Sequence, residues 1–267
     1  MIRVLFSGDV AWRTGRKVLA ESLPILKDEY GNFDFILINC ENAAHGKGMT
    51  EKIFNEFIAL GVDAMTSGNH IWDKDLFFDI LDSDMRVFRP ANYPSSCPGR
   101  GFGNIERRNK KLGILNLLGQ AFMPTIDSPF RCADDAIDEL KAKGGDNLPI
   151  FVDFHAEATS EKCALAYYLD GRVSAVIGTH THVQTADERI MSHGTAFMCD
   201  AGMTGAHEGI IGVSYESGIP KFLTGLPTKF EPSESLPMFN GVIIEIDEVS
   251  GLAMSITRIN MPIEVGT

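Results

Sequence analysis

Ser174-Ala175-Val176-Ile177-Gly178-Thr179-His180-Thr181-His182 reads as a short apolar strand that runs straight into a His-x-His pair. Alternate positions of an extended segment face one way, so both imidazoles are expected on one side. The same design recurs upstream. Ile2 to Ser7 is a strand ending at Gly8-Asp9, and Phe35 to Asn39 is one ending at Cys40-Glu41-Asn42. Ala64 to Ser67 leads to Gly68-Asn69-His70, and Pro149 to Phe154 leads to His155. Five strands thus each end in a residue that can bind a metal.

Helical patterns separate these strands. Gly15 to Glu29 carries Val18, Leu19, Leu23 and Leu26 on one side, and Pro24 is expected to kink or split that helix. Thr50 caps a second helix bearing Ile53, Phe54, Phe57, Ile58 and Leu60, and Gly61 stops it. Asp73 is placed to cap a third, through Leu81, and further helices are expected at Cys132 to Lys143 and Ser160 to Leu169. Asn92 to Gly103 reads as a surface loop, and Ile105 to Arg107 with Leu112 to Leu118 as a hairpin joined at Asn109-Lys110. Late strands are expected at Thr195 to Cys199, Val242 to Ile246 and Met254 to Ile259, with Gly202 to Pro227 as an irregular region. The alternation defines an α/β fold with a largely parallel or mixed sheet. With no internal repeat or linker, residues 1–267 read as one domain. The carboxyl ends of parallel strands face one crevice, where residues from Asp9 to His182 can converge.

The chemistry follows from the donor types. Three imidazoles (His155, His180, His182), two carboxylates (Asp9, Glu41) and two amides (Asn42, Asn69) form a mixed N/O set without thiolate, suited to Fe, Mn or Zn. Seven donors are too many for one tetrahedral ion. Two ions ~3.5–4 Å apart, bridged by a carboxylate and a hydroxide, would use them all. Taken singly, Asp9 reads equally well as a helix cap, the asparagines as turn residues and His155 as a half-buried imidazole; the joint pattern opposes those readings. His45, His193 and His207 do not share the strand-end placement and are read as non-ligands, although His45 and His207 could line the pocket mouth.

Composition narrows the class. Of 267 residues 44% are hydrophobic and 22% charged, the balance of an ordinary soluble globular protein. The formal net charge of -12 opposes sequence-blind binding to DNA or anionic lipid. Five cysteines without a C-x-x-C pair suit reduced thiols, and no apolar stretch reaches the ~18 residues of a membrane span. The N-terminal apolar stretch is interrupted by Asp9, too early for a signal-peptide core, so a cytoplasmic, membrane-free protein is expected.

Gly8-Asp9, Gly68-Asn69-His70 and Gly178-Thr179-His180-Thr181-His182, in that order, resemble the calcineurin-like metallophosphoesterases. Three longer strings resemble the bacterial YmdB-type subfamily: Asn39-Cys40-Glu41-Asn42-Ala43-Ala44-His45-Gly46-Lys47-Gly48, Asp153-Phe154-His155-Ala156-Glu157-Ala158-Thr159-Ser160-Glu161-Lys162 and Gly202-Met203-Thr204-Gly205. The similarity covers nearly the whole chain. The wider superfamily usually has a His two places after the first Asp and a bridging second Asp, where this chain has Ala11 and Glu41-Asn42; the YmdB-type proteins share that departure. The resemblance implies a four-layer α/β/β/α sandwich of mixed sheets, a di-iron or other transition-metal pair, and phosphodiesterase activity, including on 2′,3′-cyclic nucleotides. It is also the chief support for Asn42 as a ligand.

On this reading Glu41 bridges the ions, Asp9 and His182, with Asn42, hold the first, and Asn69, His155 and His180 hold the second. A metal-bridging hydroxide attacks phosphorus in line with the departing ribose oxygen, and His70, beside a ligand, protonates that oxygen as general acid. Asp73 either orients His70 or serves only as a helix cap. The substrate expected is a small phosphodiester, RNA ends included, and homo-oligomers are left open. Two rivals stand beside it. One is a non-catalytic regulator that binds RNA or a nucleotide through the same pocket. The other is a metal-dependent amidohydrolase, although those sites carry His-x-His near the end of the first strand. No G-x-S-x-G elbow supports a serine nucleophile.

Overall fold

The computed structural model describes residues 1–74 and 77–264. In chain order the first half comprises β1 (Ile2–Val10), α1 (Trp12–Tyr30), β2 (Phe35–Asn39), α2 (Glu51–Ala59), β3 (Ala64–Thr66), α3 (Phe78–Ser83), β4 (Val87–Phe88), β5 (Phe102–Arg107) and β6 (Lys110–Leu118). The second comprises α4 (Pro129–Gly144), β7 (Ile150–His155), α5 (Thr159–Leu169), β8 (Ala175–Thr179), β9 (Arg189–Ile190), β10 (Ala196–Met198), β11 (Met203–Ala206), α6 (Tyr215–Thr224), β12 (Pro237–Ile246) and β13 (Ala253–Pro262).

These strands form two mixed sheets. The first has the order β13-β12-β11-β1-β2-β3-β4, parallel from β11 through β4 and antiparallel at β12 and β13. The second has the order β5-β6-β7-β8-β10-β9, parallel through its centre with antiparallel strands at both edges. The central strands are mostly apolar and buried along nearly their whole length because both of their faces are covered. Alternation then sorts the side chains by face: in β1, Leu5 packs toward the helices while Val4 and Phe6 point at the second sheet.

Three apolar clusters fill the three interfaces of a four-layer α/β/β/α sandwich. Val18, Leu19, Leu23, Phe54 and Phe57 of α1 and α2 pack on Ile36, Ile38 and Met65 of the first sheet. Between the sheets, Val4, Phe6, Leu37 and Ile244 meet Ile114, Phe151 and Ile177, with the Phe6 and Phe151 rings 4.8 Å apart. Behind the second sheet, Leu117, Val152, Phe154 and Val176 meet Ile137, Leu140, Leu165 and Leu169 of α4 and α5.

Four local expectations change. Pro24 does not split α1, which runs unbroken for 19 residues from Trp12, because buried Leu19, Leu23 and Leu26 hold both halves to the sheet. Asp73 caps no helix: it ends a 3-10 turn, Asn69–Asp73, and α3 begins only at Phe78. Residues 75 and 76 of the expected helix lie outside the described residues. The region expected to be irregular, Gly202 to Pro227, holds β11 and α6, the latter capped by Ser214 and closed by Gly225 at φ +70°. β11, Met203–Ala206, is short, contains Gly205 and is defined by pairing; the Thr204 hydroxyl bonds Ser7 Oγ at 2.8 Å and the Asn240 carbonyl at 3.0 Å. The β5–β6 hairpin turns at Arg108-Asn109, both with positive φ, and Lys110 is already paired. No helix among the described residues is long and apolar enough to cross a membrane.

Candidate active site

The carboxyl ends of β1, β2 and β3 from one sheet and of β7 and β8 from the other open onto one place. His155, the last residue of β7, lies at its centre: Nε2 is 2.9 Å from Glu41 Oε1 and 3.0 Å from His180 Nδ1. Asp9 Oδ2 accepts from the His180 backbone N–H at 3.1 Å, and Asp9 Oδ1 lies 3.8 Å from the His155 ring. Glu41 Oε2 accepts from the His70 N–H at 3.1 Å, which draws the Asn69-His70 turn against the same carboxylate. Asn42 Oδ1 meets His182 Nε2 at 3.2 Å. Asp9, Glu41, His155 and His180 are therefore gathered around one centre, the His70 backbone and with it Asn69 lie against Glu41, and Asn42 and His182, each close in sequence to one of these residues, pair with each other.

His180 and His182 reach it differently from the expectation of an extended segment. β8 ends at Thr179, and the two histidines have φ of +103° and +63°. Left-handed backbone is costly for such residues and persists where surroundings dictate it. Here Asp9 holds the His180 N–H, while the buried Asp200 carboxylate holds Thr181 by its N–H (3.1 Å) and hydroxyl (2.8 Å). The rings consequently diverge, His180 toward His155 and His182 toward Asn42.

The donor atoms fit cations. Glu41, His155 and His180 each offer a ligand atom within 4.8 Å of the others, a candidate metal-binding group. Asp9 Oδ1 and Asn69 Oδ1 are buried and find no hydrogen-bond donor among the described residues, although buried acceptors are nearly always satisfied. The tautomers agree. Thr179 Oγ1 gives its hydrogen to Asp153 Oδ1 at 2.7 Å, so it accepts from His155 Nδ1 at 2.9 Å and leaves Nε2 as the lone-pair nitrogen facing Glu41. A lone pair 2.9 Å from a carboxylate oxygen needs a proton or a metal ion between them. Glu157 Oε2, 3.1 Å from His180 Nε2, likewise turns His180 Nδ1 inward.

In the metal-free chain a proton supplies that charge. Burial alone would lower the His155 pKa, but Glu41 beside it outweighs burial and raises it to about 9. Burial would raise Glu41, and the His155 charge reverses this, lowering it to about 2. Burial lifts Asp9 to about 8. Burial and the His155 charge together depress His180 to about 3, and burial lowers His182. Several mutually perturbed groups in one crevice mark a functional site.

Close approach is built in at Gly68. A Cβ there would lie 2.3 Å from both Glu41 Oε2 and His155 Nε2, so the chain passes the centre only as glycine. His70 turns its Nδ1 to Asp73 Oδ2 at 2.9 Å, giving Asp73 the orienting place, not the capping one. His45 is exposed, His193 pairs with Asp170 at the surface, and His207 Nε2 bonds the Met203 carbonyl at 2.8 Å.

Sequence reasoning missed the supports. Asn39, Asp153 and Thr179 form a buried polar network under His155, and Lys162 pairs with Asp200 at 2.7 Å, both 1% exposed. Asp200 lies two residues beyond β10, near a strand end as Asp9 is in β1, so a strand-end search extended to Cys199-Asp200 would have found it. Lys162 sits on the inner face of a helix and carried no such signal.

The YmdB-like protein family model matches residues 5–259. A Bacillus subtilis (strain 168) protein described as 2′,3′-cyclic-nucleotide 2′-phosphodiesterase is 49% identical over 259 residues, 97% of this chain and 96% of that protein. A crystal structure of a hypothetical protein from Thermus thermophilus superposes with a TM-score of 0.89 at 39% identity, covering 98% of this chain and 100% of that one. The crystal structure of a phosphatase from Mycoplasma pneumoniae gives 0.88 at 34% identity, covering 98% and 94%.

Proposed function

This chain belongs to the YmdB-like protein family, and from that premise we propose that it is a two-metal phosphodiesterase acting on 2′,3′-cyclic nucleotides or RNA-derived 2′,3′-cyclic ends. The observation that carries the reading is the meeting of Glu41, His155 and His180 within 4.8 Å, beside the unsatisfied oxygens of Asp9 and Asn69. Asp9, Glu41, Asn42, Asn69, His155, His180 and His182 would hold two transition-metal ions, iron first, with manganese and zinc compatible with the same donors. Such a pair, when bound, polarises the phosphate and activates water for attack on phosphorus.

The chain's own residues account for the rest. Glu41 joins the two halves of the site, bonding His155 on one side and the His70 backbone on the other. Thr179 and Glu157 hold His155 and His180 by their outward nitrogens, so both rings present lone pairs inward. Asp73 holds His70 Nδ1 and leaves Nε2 as the nitrogen that passes a proton to the departing ribose oxygen. The five cysteines are unpaired, in keeping with a cytoplasmic enzyme.

The test pairs metal analysis of anaerobically purified protein with an assay on 2′,3′-cyclic, 3′,5′-cyclic and monoester phosphates. The expected result is two metal equivalents and a clear preference for the 2′,3′-cyclic diesters. Metal-loaded protein that cleaves none of them would move the reading to a nucleotide-binding regulator.

A further inference from the structure

The loop after β6 starts at the site itself. Leu118 pairs with His155 across β6 and β7, and the Gly119 N–H donates to the His155 carbonyl at 3.0 Å. The next four residues, Gln120 to Met123, form a turn closed by the Met123 N–H on the Gln120 carbonyl at 3.3 Å. Phe122 occupies its third position with φ +64°, while Ala121 before it is not left-handed. That is the type II pattern, whose third position favours Gly or Asn. A phenylalanine there strains the backbone, and its side chain is 91% exposed, so the ring gains nothing by packing.

The turn is nevertheless held firmly. The Glu161 carboxylate accepts from the Gln120 N–H at 2.9 Å and the Ala121 N–H at 3.1 Å, and Gln120 Nε2 donates to the Ile126 carbonyl at 2.7 Å. Glu161 lies in the first turn of α5, the helix that follows His155 almost at once. A strained, solvent-facing aromatic, three residues along from the Gly119 that bonds His155 and held by Glu161, is a feature whose cost points to function. Phenyl offers a flat π-face and no hydrogen bond, which suits a partner recognised by stacking.

We propose that Phe122 is the stacking platform for the nucleobase of the substrate, so that the site selects a base-bearing ribose phosphodiester over a bare one without choosing among bases. The inference rests on the phosphodiesterase reading of the same site and names the part of the substrate that lies beyond the phosphate. Stacking is tolerant of sequence because every base has a π-face.

The experiment is calorimetric titration of the metal-loaded protein with adenosine 3′-monophosphate and with ribose 3-phosphate, for wild type, F122A, F122G and F122W. F122A and F122G should lower the preference for the nucleotide over ribose 3-phosphate by about tenfold, and F122W should keep it. With 2′,3′-cyclic AMP as substrate, the same loss should appear in KM and not in kcat. F122G relieves the turn, so its Tm should equal or exceed that of wild type. An unaltered nucleotide preference in F122A, an F122W as weak as F122A, or a Tm loss in F122G would each overturn the role. Because binding is read without turnover, a wild-type protein that hydrolyses no diester refutes the phosphodiesterase reading while the titrations still decide the case of Phe122.

Discussion

At the residue scale the proposed chemistry divides between cation donors and a proton donor, and a His70 variant separates the two. Its ring is held by Asp73 and its backbone by Glu41, so truncation removes the acid while sparing the cage. His70→Ala should lower kcat on 2′,3′-cyclic nucleotides by ~10²–10⁴-fold, the usual contribution of a positioned acid, with metal content unchanged. The loss should shrink on a diester with a p-nitrophenolate leaving group, which departs without a proton. Equal losses on both substrates, or loss of metal, would make His70 a ligand or a structural support. The candidate cage residues were legible because each lies at or just beyond the end of a mostly apolar strand, a signal written in the local sequence. Thr179, Asn39 and Asp153 were not, since their value lies in hydrogen bonds between strands: Thr179 bonds His155, and Asn39 and Thr179 both bond Asp153.

At the element scale, the loop from β8 that carries His180 and His182 takes its shape from a helix it does not touch in sequence. Lys162 of α5 neutralises Asp200, and Asp200 in turn holds Thr181 and the Gly202 N–H. Lys162→Met conserves volume but leaves Asp200 as an uncompensated buried charge, a change that costs ~3–5 kcal/mol. For a chain of this size the expected fall in Tm is ~6–20 °C, measured by thermal unfolding. The double variant K162M/D200N should recover part of that loss. A Tm within ~2 °C of wild type for K162M would mean that the pair contributes little. Long apolar strands and amphipathic helices were readable from periodicity; β11 and α6 were not. β11 is four residues, Gly205 among them, made a strand by β1 and β12, and α6 contains Gly218 and Pro220, which signal a loop unless the Ser214 cap is weighed against them.

At the scale of the whole molecule, the site lies where two sheets meet, so loading it should also clamp them together. Asp9, Glu41, Asn42 and Asn69 lie at or just beyond the carboxyl ends of strands of one sheet, and His155, His180 and His182 at or just beyond those of the other. Ligands that bind only the folded state stabilise it, so chelation should lower Tm. The pH dependence of that loss follows from the shifted groups. His155 is raised from 6.5 to about 9 in the metal-free fold, so its stabilising share is complete below 6.5 and is lost as pH rises toward 9. Asp9, raised from 3.8 to about 8, likewise loses its share between those values. Glu41, lowered from 4.5 to about 2, adds stability above 4.5 and loses it only on acidification. From about pH 5 to 9 the metal-free protein should therefore become steadily less stable. The loaded protein needs those same groups deprotonated, so metal affinity should climb over the same range. The gap in Tm between loaded and chelated protein should widen from pH 5.5 to pH 8.5, and loading near pH 7 should release about two protons, those of His155 and Asp9. Thermal scans at the two pH values, with calorimetry in buffers of different ionisation enthalpy, check both statements. A gap that narrows, or loading without proton release, would show that no ion enters between Glu41 and His155.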